Sequence, residues 1–249
     1  DYDMMYDGTV SYGELLSTAI VASYARQCGV EAVRVDMREC LVTDDRYREA
    51  TVDFEESAER LRKVVECGAR MFVMQGFIGG TRDGRATTLG REGSDYTAAA
   101  VASMLGCESV TIWKDVDGIL SADPRIFSDV TLIDRLSYVD AVELAYSGAQ
   151  IIHPKTIKPL QNKNIPLYVR PFGAPDKPGS CICRWDDYVP PRVPVLILKR
   201  SQVLLSVEPK DFSFAMEESL EKVFTALNRH RQKVNMVQSS AVRISVSVD

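Results

Sequence analysis

Two hydrophobic periods alternate along the chain. Over residues 12–28, Leu15, Leu16, Ala19, Ile20 and Tyr24 recur at three- and four-residue spacing, which predicts an amphipathic helix closed by Gly29. A strand is expected at residues 32–36. A second helix follows, with Phe54, Ala58, Leu61, Val64 and Val65 on its apolar face and its end near Gly68. Residues 71–77 read as a buried strand, 96–105 as an Ala-rich helix, and 109–113 as another strand. Residues 138–146 form a helical pattern behind Ser137, a candidate N-cap. A short helix after Pro154 and a strand at 166–169 continue the alternation. This order predicts an α/β fold with a largely parallel sheet covered on both faces.

Residues 171–194 hold six of the eleven prolines and mark a domain boundary. Beyond it, 203–207 reads as a strand and 214–231 as a helix with Met216, Leu220, Val223, Phe224 and Leu227 as its buried stripe. Residues 234–237 and 242–248 alternate apolar and polar side chains, as half-buried antiparallel strands do. The order βαββ is the front of a ferredoxin-like βαββαβ unit.

The segment between the strand at 71–77 and the Ala-rich helix changes the picture most. Residues 76–95 contain six glycines, three threonines, three arginines and two aspartates. A loop of that composition, at the carboxyl end of a strand and the start of a helix, is where α/β proteins bind anions. Glycine lets the backbone approach a ligand, and the helix dipole favours negative charge. Arg91 can grip a carboxylate or phosphate bidentately. Ser94 reads as the N-cap of the helix and Asp95 as a first-turn acid.

A second loop, residues 113–125, also leaves the carboxyl end of a strand. Lys114 and Arg125 could meet phosphate oxygens, and Asp115 a ribose hydroxyl, an amine or hydrated Mg²⁺; the same residues also suit two turns with solvated charges. Glu14 follows Gly13 in what reads as the first turn of a helix. His153, before Pro154, reads as a packing or capping residue. There is no Gly-x-Ser-x-Gly elbow, and the Gly-rich loop lacks the Gly-Lys-Ser/Thr end of a Walker loop.

A net charge of -5 argues against a general nucleic-acid or anionic-membrane binder. No apolar run reaches bilayer-spanning length, and no secretory leader is visible. The six cysteines lack metal-ligand spacing. Cys181 and Cys183 share one face of a strand, but with only two histidines, both remote in sequence, a zinc site is not expected. Free thiols in a reducing cytoplasm are the expectation.

The runs Phe77-Ile78-Gly79, Thr87-Thr88-Leu89-Gly90-Arg91, Gly93-Ser94-Asp95-Tyr96, Lys114-Asp115-Val116-Asp117-Gly118-Ile119, Ala122-Asp123-Pro124-Arg125 and Gly148-Ala149-Gln150-Ile151-Ile152-His153-Pro154 resemble aspartokinase, in order and over essentially the whole chain. The resemblance implies an amino-acid-kinase-like three-layer α/β/α catalytic domain over residues 1–185. A partial ferredoxin-like ACT regulatory unit is implied over 194–249. It also implies transfer of the γ-phosphoryl group of ATP, with Mg²⁺, to the side-chain carboxylate of L-aspartate. The product is 4-phospho-L-aspartate, on the way to lysine, threonine and methionine.

By matched position, Glu14, Arg91, Glu92, Gly93 and Ser94 are expected to contact aspartate, and Asp95 to organise the reacting groups. Lys114, Asp115, Leu120, Arg125, Gln150 and Ile151 are expected to line the nucleotide site. Two positions depart from the commonest pattern: Lys114 stands where Thr or Ser is frequent, and Gln150 where Lys is frequent. Lysine or threonine is the expected effector of the complete regulatory region.

The family's Lys-Phe-Gly-Gly-Thr-Ser segment is not found in the sequence, and both ends read as cut. The chain is therefore expected to be a fragment with little or no activity alone, to self-associate as a homo-oligomer, and to be cytoplasmic. Two other readings compete with aspartate kinase. One is an amino-acid kinase with a different acceptor; the other is a non-catalytic, amino-acid-sensing piece.

Overall fold

The computed structural model describes residues 2–149, 152–186, 189–190, 193–208, 216–230 and 232–249. They fall into two compact units, Asp1–Leu196 and Ile197–Asp249. The first unit opens with helix α1 (Tyr2–Gln27), strand β1 (Ala32–Val35), a one-turn helix α2 (Met37–Cys40) and helix α3 (Phe54–Val65). Strand β2 (Met71–Met74), hairpin β3 (Ile78–Gly80) and β4 (Ala86–Thr88), and helix α4 (Gly93–Leu105) follow. Then come β5 (Val110–Lys114), β6 (Ile119–Leu120), β7 (Leu132–Ile133), β8 (Arg135–Leu136), α5 (Tyr138–Ser147), α6 (Pro154–Gln161), β9 (Leu167–Pro171) and β10 (Ser180–Ile182).

The two main sheets are mostly parallel, as the alternation predicts, with β1 on β2, β5 on β9 and β8 on β10, whereas the small β3–β4 and β6–β7 pairs are antiparallel. The exception in the larger sheet is the antiparallel step from β9 to β10. Among the described residues the sheet is not continuous. β1-β2 forms one piece and β5-β9-β10-β8 another. Each has its own apolar cluster. Leu15, Met37, Leu41, Leu61 and Ile78 belong to the first, and Ile112, Leu136, Ile157, Leu160 and Leu167 to the second. Helix α4 contributes to both: Tyr96, Ala100 and Met104 to the first, Ala99 and Ala102 to the second.

Helix α1 corrects the sequence reading twice. It begins ten residues earlier, at Tyr2, so Glu14 sits in mid-helix and not in a first turn. Its buried face is Asp7, Ser11, Leu15, Thr18 and Ala22, whereas Leu16, Ile20 and Tyr24 are 63%, 69% and 67% exposed. The polar stripe faces inward because Thr18 and Asp7 have buried partners. Thr18 accepts a hydrogen bond from Gln75 Nε2 at 2.8 Å, and the fully buried Gln75 also accepts from the Met37 amide at 2.8 Å. Buried polar atoms satisfied in this way cost little.

The second unit is β11 (Val203–Val207), α7 (Met216–Arg229), β12 (Val234–Ser239) and β13 (Ile244–Val248). Its sheet order, β11-β13-β12 with antiparallel pairs, places the first strand beside the third, and Leu227, Ile244, Val246 and Val248 are its buried core. Leu220 and Val223 pack on that core, but Phe224 is 42% exposed, and the Met216 side chain lies outside the described residues. All six cysteines are free thiols.

Candidate functional site

The Gly-rich segment is not one long loop. Gly76 leaves β2 behind Gln75, Phe77 takes a left-handed conformation (φ 69°), and β3 and β4 then pair as a hairpin with Ile78 opposite Thr88 and Gly80 opposite Ala86. The strand predicted over 71–77 therefore ends at Met74. A bend at Gly76 and the left-handed Phe77 separates it from β3. After β4 the chain turns at Gly90 (φ 77°), where a Cβ would stand 3.0 Å from the Arg48 carbonyl oxygen. Glycine is required there on both counts.

Helix α4 begins at Gly93, and its N-cap is Glu92, itself left-handed at φ 52°. Ser94 is thus the second helical residue and not the cap. No side chain caps this terminus, and one carboxylate oxygen of Glu92 (Oε2) is buried without a hydrogen-bond partner among the described residues. Two non-glycine residues in that conformation, Phe77 and Glu92, cost about 1–3 kcal/mol each. They are held by bonds between the two ends of the segment. Phe77 N donates to Thr97 Oγ1 at 3.0 Å, and Leu89 N to the Phe77 carbonyl at 2.9 Å. Gly76 lies so close to α4 that a Cβ would be 2.8 Å from Ser94 Cα.

Asp7 anchors the same hairpin from the other side and was not foreseen in the sequence. Its carboxylate is fully buried. Oδ2 accepts from the amides of Thr88 (2.8 Å) and Arg48 (2.9 Å), and Oδ1 from the Thr88 hydroxyl (2.9 Å). Two turns further along α1, Glu14 is half-buried. Burial pushes its carboxyl above the ordinary glutamate range, and no cation pairs with it among the described residues.

The two predicted loops do meet. Lys114, at the end of β5, donates from Nζ to Asp95 Oδ2 at 2.8 Å, and both side chains are mostly shielded from solvent. Arg91 and Ser94 are exposed beside this pair in sequence, Gly93 is buried, and Asp115 is exposed. Leu120 lies in β6, half-buried. Arg125 points its guanidinium at Asp123, with Nη2 to Oδ2 at 2.8 Å, and the pair is largely solvated. Gln150 and Ile151 lie outside the described residues.

His153 is the N-cap of α6: its Nδ1 accepts from the Lys155 amide at 3.1 Å, as its position before Pro154 suggests. Lys155 itself escaped the sequence reading. Its ammonium lies 4.7 Å from the centre of the Tyr96 ring and donates to the Leu89 carbonyl at 3.3 Å.

The candidate residues are therefore a helix N-terminus with exposed Arg91 and Ser94, a shielded Lys114–Asp95 pair and, on α1, the desolvated carboxylate of Glu14. That arrangement suits a small zwitterion beside a phosphate. The amino acid kinase family profile matches residues 3–171. The chain belongs to the amino acid kinase family. The chain is 36% identical over 245 residues to lysine-sensitive aspartokinase 3 of Escherichia coli (strain K12), with 98% of the chain and 54% of that relative covered.

Its fold superposes with a TM-score of 0.84, at 35% identity, on the crystal structure of Escherichia coli aspartokinase III in complex with lysine and aspartate. That match covers 99% of this chain and 56% of the other. The structure of the same enzyme with aspartate and ADP gives 0.83 at 35% identity, covering 99% and 55%. The chain thus spans about half the length of the relatives it matches. The amino-acid-kinase fold expected from the motif order is the fold observed.

Proposed function

We propose that this chain supplies the acceptor side and part of the nucleotide side of an aspartate kinase. The reaction moves the ATP γ-phosphoryl group to the side-chain carboxylate of L-aspartate, giving 4-phospho-L-aspartate and ADP. The observation that carries the reading is the Lys114–Asp95 pair at the head of α4, next to Arg91, in a chain that superposes on an aspartokinase determined with aspartate and ADP.

In this reading Arg91 holds the α-carboxylate of aspartate bidentately, with Ser94 as a further donor at the start of α4. Glu14 meets the α-ammonium, and its desolvated, unpaired state supports that role. The substrate's side-chain carboxylate is ionised at neutral pH, so no base is needed to activate it. One of its oxygens bonds to phosphorus as the bond from phosphorus to the ADP oxygen breaks. Catalysis then rests on positioning and charge. Lys114 faces the transferring phosphates, and Asp95 orients that ammonium. Asp115, Leu120, Arg125, Gln150 and Ile151 line the nucleotide. Among the described residues no three His, Cys, Asp or Glu cluster together. A Mg²⁺ carried by the nucleotide would be held by one or two carboxylates, Asp95 or Asp115, and would supply neutralisation of phosphate charge there.

We assign residues 1–185 to the catalytic domain and 194–249 to part of an ACT-type regulatory domain, a reading the β11-β13-β12 order supports. Lysine or threonine is the effector class, and the co-determined lysine in the related enzyme supports the first. Self-association is part of the proposal. Among the described residues β11 is an edge strand, with Val203 and Leu204 52% and 63% exposed, and such edges pair readily. The free thiols support a reducing, cytoplasmic setting.

The test has two arms. Calorimetry on the chain should detect aspartate and lose it in Arg91→Met. In the full-length product, hydroxylamine trapping should detect an acyl phosphate from aspartate. Preferential turnover of glutamate, a carbamate or a nucleoside monophosphate would refute the acceptor assignment.

A further inference from the structure

Lys155 is the second residue of α6 and half-buried, and no carboxylate pairs with it among the described residues. Its two partners are neutral. One is the Leu89 carbonyl, 3.3 Å from Nζ; the other is the face of Tyr96, whose ring centre is 4.7 Å away. Burial pushes the Tyr96 hydroxyl up, so the ring stays neutral, and the attraction is that of a cation over an aromatic face.

The placement of those partners gives Lys155 its meaning. Leu89 immediately precedes Gly90 and Arg91, and Tyr96 immediately follows Asp95. A single ammonium therefore ties down both ends of residues 90–95. Within that span the backbone is left-handed at Gly90, where glycine adopts it freely, and at Glu92, where a non-glycine residue persists only if surrounding contacts over-determine it. Asp7 fixes Thr88 on the α1 side, but Leu89 and Tyr96 are linked to α6 through Lys155. The backbone of Lys155 is in turn fixed by the His153 cap, at the end of the Gly148–Pro154 run that carries the nucleotide-side residues.

We propose that Lys155 is a positioning residue. It holds residues 90–95 against the start of α6, and so sets the distance between the acceptor segment and the nucleotide side of the site. The inference rests on the aspartate kinase reading for its functional consequence, but not for the restraint itself.

Three variants of the whole chain test it: Lys155→Met, Lys155→Arg and, as a control in the Ile197–Asp249 unit, Lys199→Met. Hydrogen exchange should show faster exchange of the 90–93 amides in Lys155→Met, with β1 and β2 unchanged. Lys155→Arg should restore protection, because a guanidinium can still cover Tyr96 and donate to a carbonyl. Calorimetry should show aspartate affinity lowered about 3- to 30-fold in Lys155→Met, with ATP affinity moved by roughly twofold or less.

Unchanged exchange at 90–93 in a folded Lys155→Met protein overturns the proposal. So does an equal loss of aspartate and ATP binding with general loss of protection, which would mark Lys155 as a packing residue only. Wild-type protein that binds no aspartate refutes the function reading instead, and the exchange arm still decides the restraint.

Discussion

The carboxylate of Asp7 holds the acceptor hairpin, and replacing it separates two kinds of contribution. Asp7→Ala leaves the Thr88 and Arg48 amides without an acceptor, and the Thr88 hydroxyl without its partner. Thr88 is 1% exposed, so water does not replace the lost bonds there. At about 1–3 kcal/mol for each of the two buried orphans at Thr88, the expected loss is about 2–6 kcal/mol. That is a large part of the ~5–15 kcal/mol of an ordinary domain.

Asp7→Asn should behave differently. Its Oδ1 can take both amides in place of Oδ2, and its Nδ2 can donate to the Thr88 hydroxyl, which then turns to accept. All three bonds survive, without the extra strength of a charged acceptor, for a loss of about 1 kcal/mol. Urea unfolding followed by tryptophan fluorescence is the assay, because Trp113 and Trp185 both lie in the Asp1–Leu196 unit. The midpoint of Asp7→Ala should fall well below that of Asp7→Asn at similar m-value. If the two variants lose the same stability, the charge and not the bonding geometry holds the hairpin, and the reasoning fails.

Three further outcomes follow from local geometry. The Glu14 carboxyl is raised by burial above its ordinary value of 4.5, so the folded state holds its proton more tightly than the unfolded state, and ionised Glu14 costs stability at neutral pH. Glu14→Gln should therefore melt higher than wild type at pH 7, with the difference gone below pH 4.5; a lower melting temperature at pH 7 would contradict it. Gly76→Ala places a methyl 2.8 Å from Ser94 Cα and Cβ, and should cost about 1–3 kcal/mol by displacing the start of α4. Gly8→Ala, in mid-helix with nothing within 4 Å, should instead gain about 0.5–1 kcal/mol by thermal melting, and a loss there would show that its space is not open.

Local chemistry was the legible part of this chain. Ser137 caps α5 by accepting from the Asp140 amide, and His153 caps α6 ahead of Pro154, both as their neighbours predict. The order of strands and helices was readable for the same reason: each period is carried by adjacent residues. What escaped depends on partners far along the chain. Asp7 looks like an exposed acid until Thr88, 81 residues on, is placed beside it. The inward stripe of α1 was misread because Leu16, Ile20 and Tyr24 outweigh Asp7, Ser11 and Thr18 in any apolar pattern. Strands of three residues, such as β3 and β4, are too short to declare a period among so many glycines. Lys155 gave no signal at all, since a lysine after His-Pro is ordinary until an aromatic ring lies beneath it.

Helix α4 sends Tyr96, Ala100 and Met104 into one apolar cluster and Ala99 and Ala102 into the other. It therefore acts as a shared beam, and its first turn is where the acceptor segment ends. Occupancy at that turn is linked to the folding of both clusters at once, because neither can loosen while the beam is pinned. Ligand should raise the melting midpoint of both clusters together, as one cooperative transition of the Asp1–Leu196 unit.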